Sequence, residues 1–340
     1  MTPITIGLVV RNEESRLLPC LRSLVENHLR PFRIRIVMVD NHSSDGTLAL
    51  AEEFLAGADV PFQIIRRQSN HLAAARNDVL RAAAEGFVAF TDADCRVPAD
   101  WVARLAQRLA SHPEAAAVGG GNQPPTEHPF RASWELLAED RWLHHGSVQA
   151  RHQPLRAKIR AVPHLSTCNV MYRLSALQEV RGFSARHERS GEDLDLSYRL
   201  RRRGWRLLEE PRLSVEHHIP DTMGLWLKQC WKYGMDQVPV LARHGFIVDP
   251  RRSLFVSFVM TYAAAGMVNP WLWSSALMHP AWFFIRARRQ GLARRSSYRA
   301  ALWTTLTHGA YAFACLGGVG RLLREPFRRQ HAEQESRPMN

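Results

Sequence analysis

The stretch FTDADCR, Phe90 to Arg96, sets Asp92 and Asp94 one residue apart directly after the apolar run GFVAF. Two hard carboxylate donors at a strand end can hold a divalent cation and leave coordination sites open for phosphate oxygens. Aspartates also end strands and open turns with no metal involved. Other acidic loops bear on the choice. In VDNHSSDGT, Asp40 ends a second apolar run, where its carboxylate can accept hydrogen bonds from a base or a ribose, and Asp45 is placed to cap a helix starting near Thr47. RSGEDLDLSYRL adds Glu192, Asp193 and Asp195. Beside metal-bound phosphates Asp193 would act as a general base on an attacking hydroxyl. The same residue, three after Ser190, fits a helix capping box. Asp195 reads as a local partner for the arginines that follow. RLSVEHH ends a further strand pattern, and His217 there could complete an octahedral metal shell.

These residues need a frame. ITIGLVV (4–10) and IRIVMV (34–39) are short β-branched runs that stop at polar residues, and EESRLLPCLRSLVEN between them has helical spacing. The alternation continues: SSDGTLALAEEFLA as helix, FQIIR as strand, HLAAARNDVLRAAA as helix, GFVAF as strand. Such order predicts an α/β fold with a parallel, doubly wound sheet, whose ligands sit at the C-terminal strand ends. VRNEE, VDNHSSDGT and FTDADCR would then face one crevice. Further on, PADWVARLAQRLASH predicts a helix and VGGGNQPPTEHP a loop.

The chain has 340 residues, 46% of them hydrophobic, which suits a packed core. Its net charge of +13 comes from 45 Lys+Arg, of which the lysines are Lys158, Lys228 and Lys232. Arginine-rich charge fits anionic partners such as phosphates, nucleic acid or acidic lipid, and a G+C-rich genome gives the same bias. No helix-turn-helix, zinc or RNA-binding signature supports nucleic acid as the partner. Five scattered cysteines without a C-x-x-C pair point to a reducing cytosol. The N-terminus enters a strand pattern without a signal-peptide n-region, so export of this part is not expected.

After His218 the character changes. GLWLKQCWKYGMDQVPVLARHG predicts an amphipathic helix, and no charged residue occurs from Leu254 to Ile285. VNPW (268–271) and Pro280 interrupt this run, and its halves of about fifteen residues fall short of the roughly 20 that a spanning helix needs. Arg251 and Arg252 precede it, and Arg286, Arg288, Arg289, Arg294, Arg295 and Arg299 follow. Positive flanks on both sides favour a re-entrant hairpin or interfacial helices, the other reading being helices buried at a soluble dimer interface. The expected division is 1–218, a linker helix region 219–250, membrane-associated helices 251–325 and a basic, disordered tail 326–340.

Taken in order, the loops resemble the family 2 glycosyltransferases, inverting enzymes with the GT-A fold, from about residue 4 to 218. VDNHSSDGT is similar to that family's nucleotide loop, AAARNDVLRAA to its A-R-N helix, and FTDADCRVPADW to its D-x-D with the following P-x-x-W. STCNVMYRLSALQEVRGF resembles the acceptor-side segment, and GEDLDLSYRLRRRGW the E-D motif. The resemblance implies a GT-A type doubly wound mixed sheet with a nucleotide-binding N-terminal half, followed by C-terminal apolar helices. It implies that Asp40 contacts the nucleoside, that Arg76 supports the base and diphosphate region, and that Asn169 and Glu192 bind the nucleotide sugar, with Trp101 packing nearby. Asp92 would bind ribose or metal, Asp94 the metal, which is Mg²⁺ or Mn²⁺, with His217 as a further ligand. Asp193 would be the base.

Processive members carry Q-x-x-R-W after the E-D motif, whereas QCWKY here has Lys232 and Tyr233 in the last two places. Single sugar transfer from a nucleotide-sugar donor to a lipid-linked or glycan acceptor, at the cytoplasmic face of the membrane, is therefore expected. Two other classes share features: a haloacid dehalogenase-type phosphatase, which uses D-x-D with the first Asp as nucleophile and requires a lysine, and a non-catalytic basic membrane-binding protein.

Overall fold

The computed structural model describes residues 2–27, 32–138, 158–187, 190–244, 261–262, 265 and 278–335. Two units divide the chain, Met1–Ile219 and Pro220–Asn340. The first opens with β1 (Pro3–Val10), α1 (Leu17–Val25), β2 (Arg33–Asp40), α2 (Thr47–Ala56), β3 (Phe62–Arg66), α3 (Leu72–Ala82) and β4 (Phe87–Asp92). β2, β1 and β4 lie side by side and parallel, with β3 outside β2. Helical crossovers between parallel strands impose this arrangement.

Each central strand is buried on both sides, and its alternate residues enter different cores. Ile36 and Met38 of β2 join Leu17, Leu21 and Leu24 of α1, whereas Val37 and Val39 join Ala73 and Val79 of α3. Helices thus cover both faces, as the continuous apolar runs require.

Beyond β4 the sheet becomes mixed. β5 (Cys95–Arg96), α4 (Trp101–Ala110), β6 (Ala115–Gln123), α5 (Arg131–Ala138), β7 (Arg160–Ala161), β8 (Asn169–Arg173), α6 (Leu174–Glu179), α7 (Glu192–Arg202) and β9 (Arg206–His217) complete the unit. Among the described residues the sheet has nine strands in the order β3-β2-β1-β4-β8-β6-β9-β5, and β7 pairs with β9. β8 runs antiparallel to both β4 and β6.

The segment VGGGNQ, expected as part of a loop, is instead the buried core of β6. Its glycines serve close backbone approach. A Cβ on Gly119 would press on the Asn169 carbonyl oxygen, and one on Gly120 would overlap the Leu213 carbonyl oxygen. Glycine therefore belongs to this strand for reasons of space, which the usual association of glycine with loops conceals.

The second unit contains α8 (Met223–His244), α9 (Met278–Arg289) and α10 (Arg294–Glu335). Trp226 of α8 stacks on Trp303 of α10 at 5.0 Å, and its indole N–H donates to Thr307 Oγ1 at 2.8 Å. QCWKY lies within α8, where the Gln229 amide donates to the Tyr233 hydroxyl one turn later. Most of the uncharged run 254–285 lies outside the described residues. Among those described, no helix is long and apolar enough to cross a membrane. α10 runs on through Glu335, so most of the stretch expected as a disordered tail is helical, consistent with its Arg, Gln, Ala and Glu content.

Candidate active site

Strand register sets the first part of the site. Val9 of β1 lies opposite Asp92 of β4, and Val10 lies opposite Asp40 of β2. The two aspartates therefore flank the tip of the same central strand. Asp40 is buried, and its carboxylate oxygens accept from the Ser43 N–H at 3.3 and 3.4 Å, folding the loop back over the strand end. Asp45 accepts from the Thr47 N–H at 3.1 Å, but the N-cap position of α2 is Gly46, so Asp45 holds the first turn from one residue outside the cap expected of it.

Arg76, on α3, is buried and joins two loops that are far apart in sequence. One guanidinium nitrogen donates to Glu192 Oε1 and the other lies 3.5 Å from Asp92 Oδ1. The Phe183 ring sits 5.8 Å from the guanidinium carbon. The D-x-D and the E-D motif are thus held together by a shared cation.

α7 begins after Gly191, whose φ of +86° turns the chain into the helix through the left-handed region. The residue at the N-cap position is Gly191, which has no side chain to cap this end. Asp193 instead turns its Oδ1 to the Leu194 N–H at 2.7 Å and its Oδ2 to His164 Nε2 at 3.3 Å. Burial works to protonate this carboxyl, but His164, Arg76 and the Leu194 N–H together hold its pKa well below the usual carboxylate range. The carboxyl is thereby held in its ionised form. Asp195 pairs with Arg199 at 2.7 Å, the local contact expected of it.

On the other side, Asp94 Oδ1 lies 3.4 Å from His217 Nε2, and the Asp94 carbonyl accepts from the His218 N–H at 3.0 Å. The β5–β9 pairing, Cys95 opposite His217, brings them together. Burial opposes a charge on His217, yet Asp94 beside it pushes its pKa up to about 10. Burial opposes the charge on Asp94 too, and His217 keeps its pKa low. Donor atoms of Asp94, Cys95 and His217 lie within 4.8 Å of one another, the one such group among the described residues. Burial pushes the Cys95 thiol well up and keeps it neutral, which leaves Asp94 as the better donor, with His217 available to a cation that displaces its proton.

Glu13, in the loop after β1, was not among the expected site residues. Its Oε2 is buried 3.6 Å from Arg16 Nη1, and burial, followed by the charges of Asp94 and Asp92, pushes its pKa up to about 7 against the opposing charge of Arg16. Burial likewise raises Asp92, with Arg76 opposing it. Carboxylates that crowd one another beside an imidazole suit a divalent cation, because a positive charge there relieves the repulsion that raises Glu13.

Two expected residues have other tasks. Asn169 is fully enclosed. Its amide donates to the carbonyls of Gly121 and Leu213 at 2.8 and 3.3 Å, and its oxygen accepts from the Trp101 indole at 2.8 Å. The direct sugar contact expected of Asn169 is corrected to bracing of β6, β8 and α4, since no polar group of its side chain remains to face a ligand. Glu192, buried against Arg76, likewise acts within the frame. His164 is the other group that sequence reasoning missed. VPHLST carries no spacing that ties it to Asp193, and only the fold brings them together.

Comparison with known proteins agrees with this geometry. Residues 5–181, just over half of the chain, match Glycosyl transferase family 2. The chain is 29% identical over 249 residues to the Pre-mycofactocin glycosyltransferase of Mycobacterium tuberculosis, covering 71% of this chain and 48% of that protein. It therefore spans about half the length of that relative. It is also 29% identical over 224 residues to the Succinoglycan biosynthesis protein ExoM of Rhizobium meliloti, covering 63% of this chain and 67% of that one. Among solved structures, the mannosyltransferase PcManGT from Pyrobaculum calidifontis, in complex with GDP-Man and Mn²⁺, aligns over 93% of this chain and 86% of its own, with a TM-score of 0.61 at 19% identity. S. aureus TarS 1–349 in complex with UDP aligns over 92% and 90%, with a TM-score of 0.51 at 14% identity. At such identities the likeness establishes a shared fold, which is that of these glycosyltransferases. Motif order, the mixed two-faced sheet and the extent of the sequence match agree: the chain is a member of glycosyl transferase family 2 with a GT-A fold.

Proposed function

We propose that the chain is a metal-dependent, inverting glycosyltransferase that moves a single sugar from a nucleotide-sugar donor to a lipid-linked or polysaccharide-precursor acceptor. The observation that carries this reading is the junction at Arg76, which holds the D-x-D against the E-D motif so that Asp193 stands beside the strand ends bearing Asp40, Asp92 and Asp94.

In this reading Asp40 receives the nucleoside, and Asp94, with Asp92 and His217, holds Mg²⁺ or Mn²⁺. The bound cation supplies Lewis-acid stabilisation of the leaving diphosphate. Arg76 keeps Asp92 and Glu192 in place and adds positive potential to the diphosphate region. Asp193 takes the proton of the acceptor hydroxyl. The acceptor oxygen forms its bond to the anomeric carbon on the face opposite the diphosphate, and the old C–O bonding pair leaves with the nucleoside diphosphate. A single displacement inverts that centre.

The Pyrobaculum and S. aureus structures, in complex with GDP-Man and Mn²⁺ and with UDP, support a nucleotide-sugar donor. Action at the cytoplasmic membrane face is supported by the second unit. Tyr298, Leu302 and Leu306 recur every fourth residue along α10 and are exposed, as are Trp282 and Ile285 of α9. Arg294, Arg295 and Arg299 border them, a pattern suited to an anionic lipid surface.

The test is release of nucleoside diphosphate from UDP- and GDP-sugars with Mn²⁺ and a membrane extract as acceptor source. Turnover that vanishes in Asp94→Ala and Asp193→Asn is expected, and unchanged turnover in either variant overturns the assignment of that residue. Co-sedimentation with phosphatidylglycerol vesicles checks the membrane part. Protein left in the supernatant at low salt refutes it.

A further inference from the structure

The base in this scheme has a neighbour to which no role is yet assigned. His164, on the segment between β7 and β8, is buried, and its Nε2 is the ion-pair contact of Asp193 at 3.3 Å. The next residue is tied to the helix that carries the base, since the Leu165 N–H donates to Ser197 Oγ at 3.4 Å, one turn beyond Asp193 on α7. Nε2 has the Asp193 carboxylate as its contact and, among the described residues, neither ring nitrogen has another hydrogen-bond partner, so the imidazole is set against this carboxylate. A buried polar ring without such partners normally marks a functional demand.

We propose that His164 is the positioning residue for Asp193: its imidazole fixes one oxygen of the base carboxylate so that the remaining lone pairs face the acceptor hydroxyl. The inference rests on the assignment of Asp193 as base. One carboxylate oxygen is already held by the Leu194 N–H. Without a second restraint the group can rotate about its Cβ–Cγ bond, and the proton-accepting lone pair leaves the line of approach. Misplacement by about 1 Å in such a step lowers rates by about 10²-fold.

The proton passes from the acceptor hydroxyl to Asp193 and stays there until the product departs. His164 makes no bond to substrate. Other groups bear on Asp193 electrostatically: Arg76 from α3 favours its charged form, Asp92 from β4 opposes it, and burial opposes it most. Among the described residues, Tyr172 of β8 and Glu192, the preceding residue on α7, are further ionisable groups near it. Removing the imidazole leaves burial less well opposed, and the carboxyl then titrates at higher pH.

The experiment is the pH profile of nucleoside diphosphate release by the full chain, with UDP-N-acetylglucosamine and GDP-mannose as donor probes, for wild type, His164→Ala, His164→Gln, His164→Asn and Asp193→Asn. The expected result for His164→Ala is a kcat about 10- to 100-fold lower, a donor KM within about twofold of wild type, and an acid limb of kcat/KM moved to higher pH. His164→Gln, whose amide nitrogen reaches nearly as far as Nε2, should recover most of kcat. A His164→Ala enzyme with wild-type kcat and acid limb, alongside an inactive Asp193→Asn, overturns the inference and leaves the base intact. An active Asp193→Asn overturns the base assignment itself. If His164→Ala does not fold, the amides decide: Gln about tenfold faster than the shorter Asn supports positioning, and equal rates refute it.

Discussion

The D-x-D at the end of β4 and the E-D at the start of α7 are built to the same plan from different local geometry. In each, one carboxylate rests on Arg76, Asp92 in the first and Glu192 in the second, and the other faces a histidine, Asp94 with His217 and Asp193 with His164. The difference lies in exposure. Asp92 and Asp94 are 35% and 20% exposed, whereas Glu192 is 4% exposed and Asp193 21%. Residues two apart beside a strand end can both reach the crevice. Adjacent residues in the first turn of a helix point about 100° apart, so one is turned inward. The strand pair can share a ligand, whereas the helix pair divides into a brace and a base.

If that division holds, the most damaging changes are at the histidine-facing acids. Asp193→Asn and Asp94→Ala should each lower kcat about 10³-fold, measured as nucleoside diphosphate release, with a thermal midpoint near wild type. Arg76→Gln should break both pairs at once. It leaves Glu192 buried without its cation, which costs about 3–5 kcal/mol, and denaturant titration should show that loss together with much reduced turnover. His217→Asn then separates the two histidines. Mn²⁺ affinity, read by electron paramagnetic resonance, should weaken about 10- to 100-fold, while His164→Ala should leave it unchanged.

The smallest effect is expected at Glu13. Its carboxyl ordinarily titrates at 4.5 and here near about 7. Between those values the folded chain holds a proton that the unfolded chain has released, so this group lowers stability progressively as pH rises through the window. Glu13→Gln should therefore stabilise the metal-free protein at pH 8 by about 1–2 kcal/mol, after allowing for partial exposure. The gain should vanish near pH 4.5 and shrink in saturating Mn²⁺. Chemical unfolding at the two pH values, with and without metal, checks it.

The parallel half of the fold was readable because each strand from β1 to β4 is a continuous apolar run ending in polar residues, which leaves little choice of architecture. Asp40, Asp92, Asp94, Asp193, Arg76 and His217 could be named because they stand at such ends or in ordered motifs. β6 was missed because its glycines answer to crowding by Leu213 and Asn169, and that crowding exists only once β8 and β9 are in place. Asn169 was misassigned for a related reason. Its amide is consumed by partners 44 to 68 residues away, which no local pattern reveals. Glu13 and His164 went unnamed because neither is spaced to the acids it meets.

The ion pair between Arg76 and Glu192 also has a consequence during synthesis. The two residues are 116 positions apart. A nascent chain that has released β1 to β4 and α3 from the ribosome has the guanidinium in hand and no α7 to receive it. In that half the charge has Asp92, 3.5 Å away, but lacks the buried Glu192 carboxylate, so the nucleotide-binding half closes less firmly until residue 192 has emerged. The same contact that joins the two acidic pairs in the finished protein thus sets a checkpoint on the order in which it is made, and fragments ending before α7 should remain open to proteases at α3.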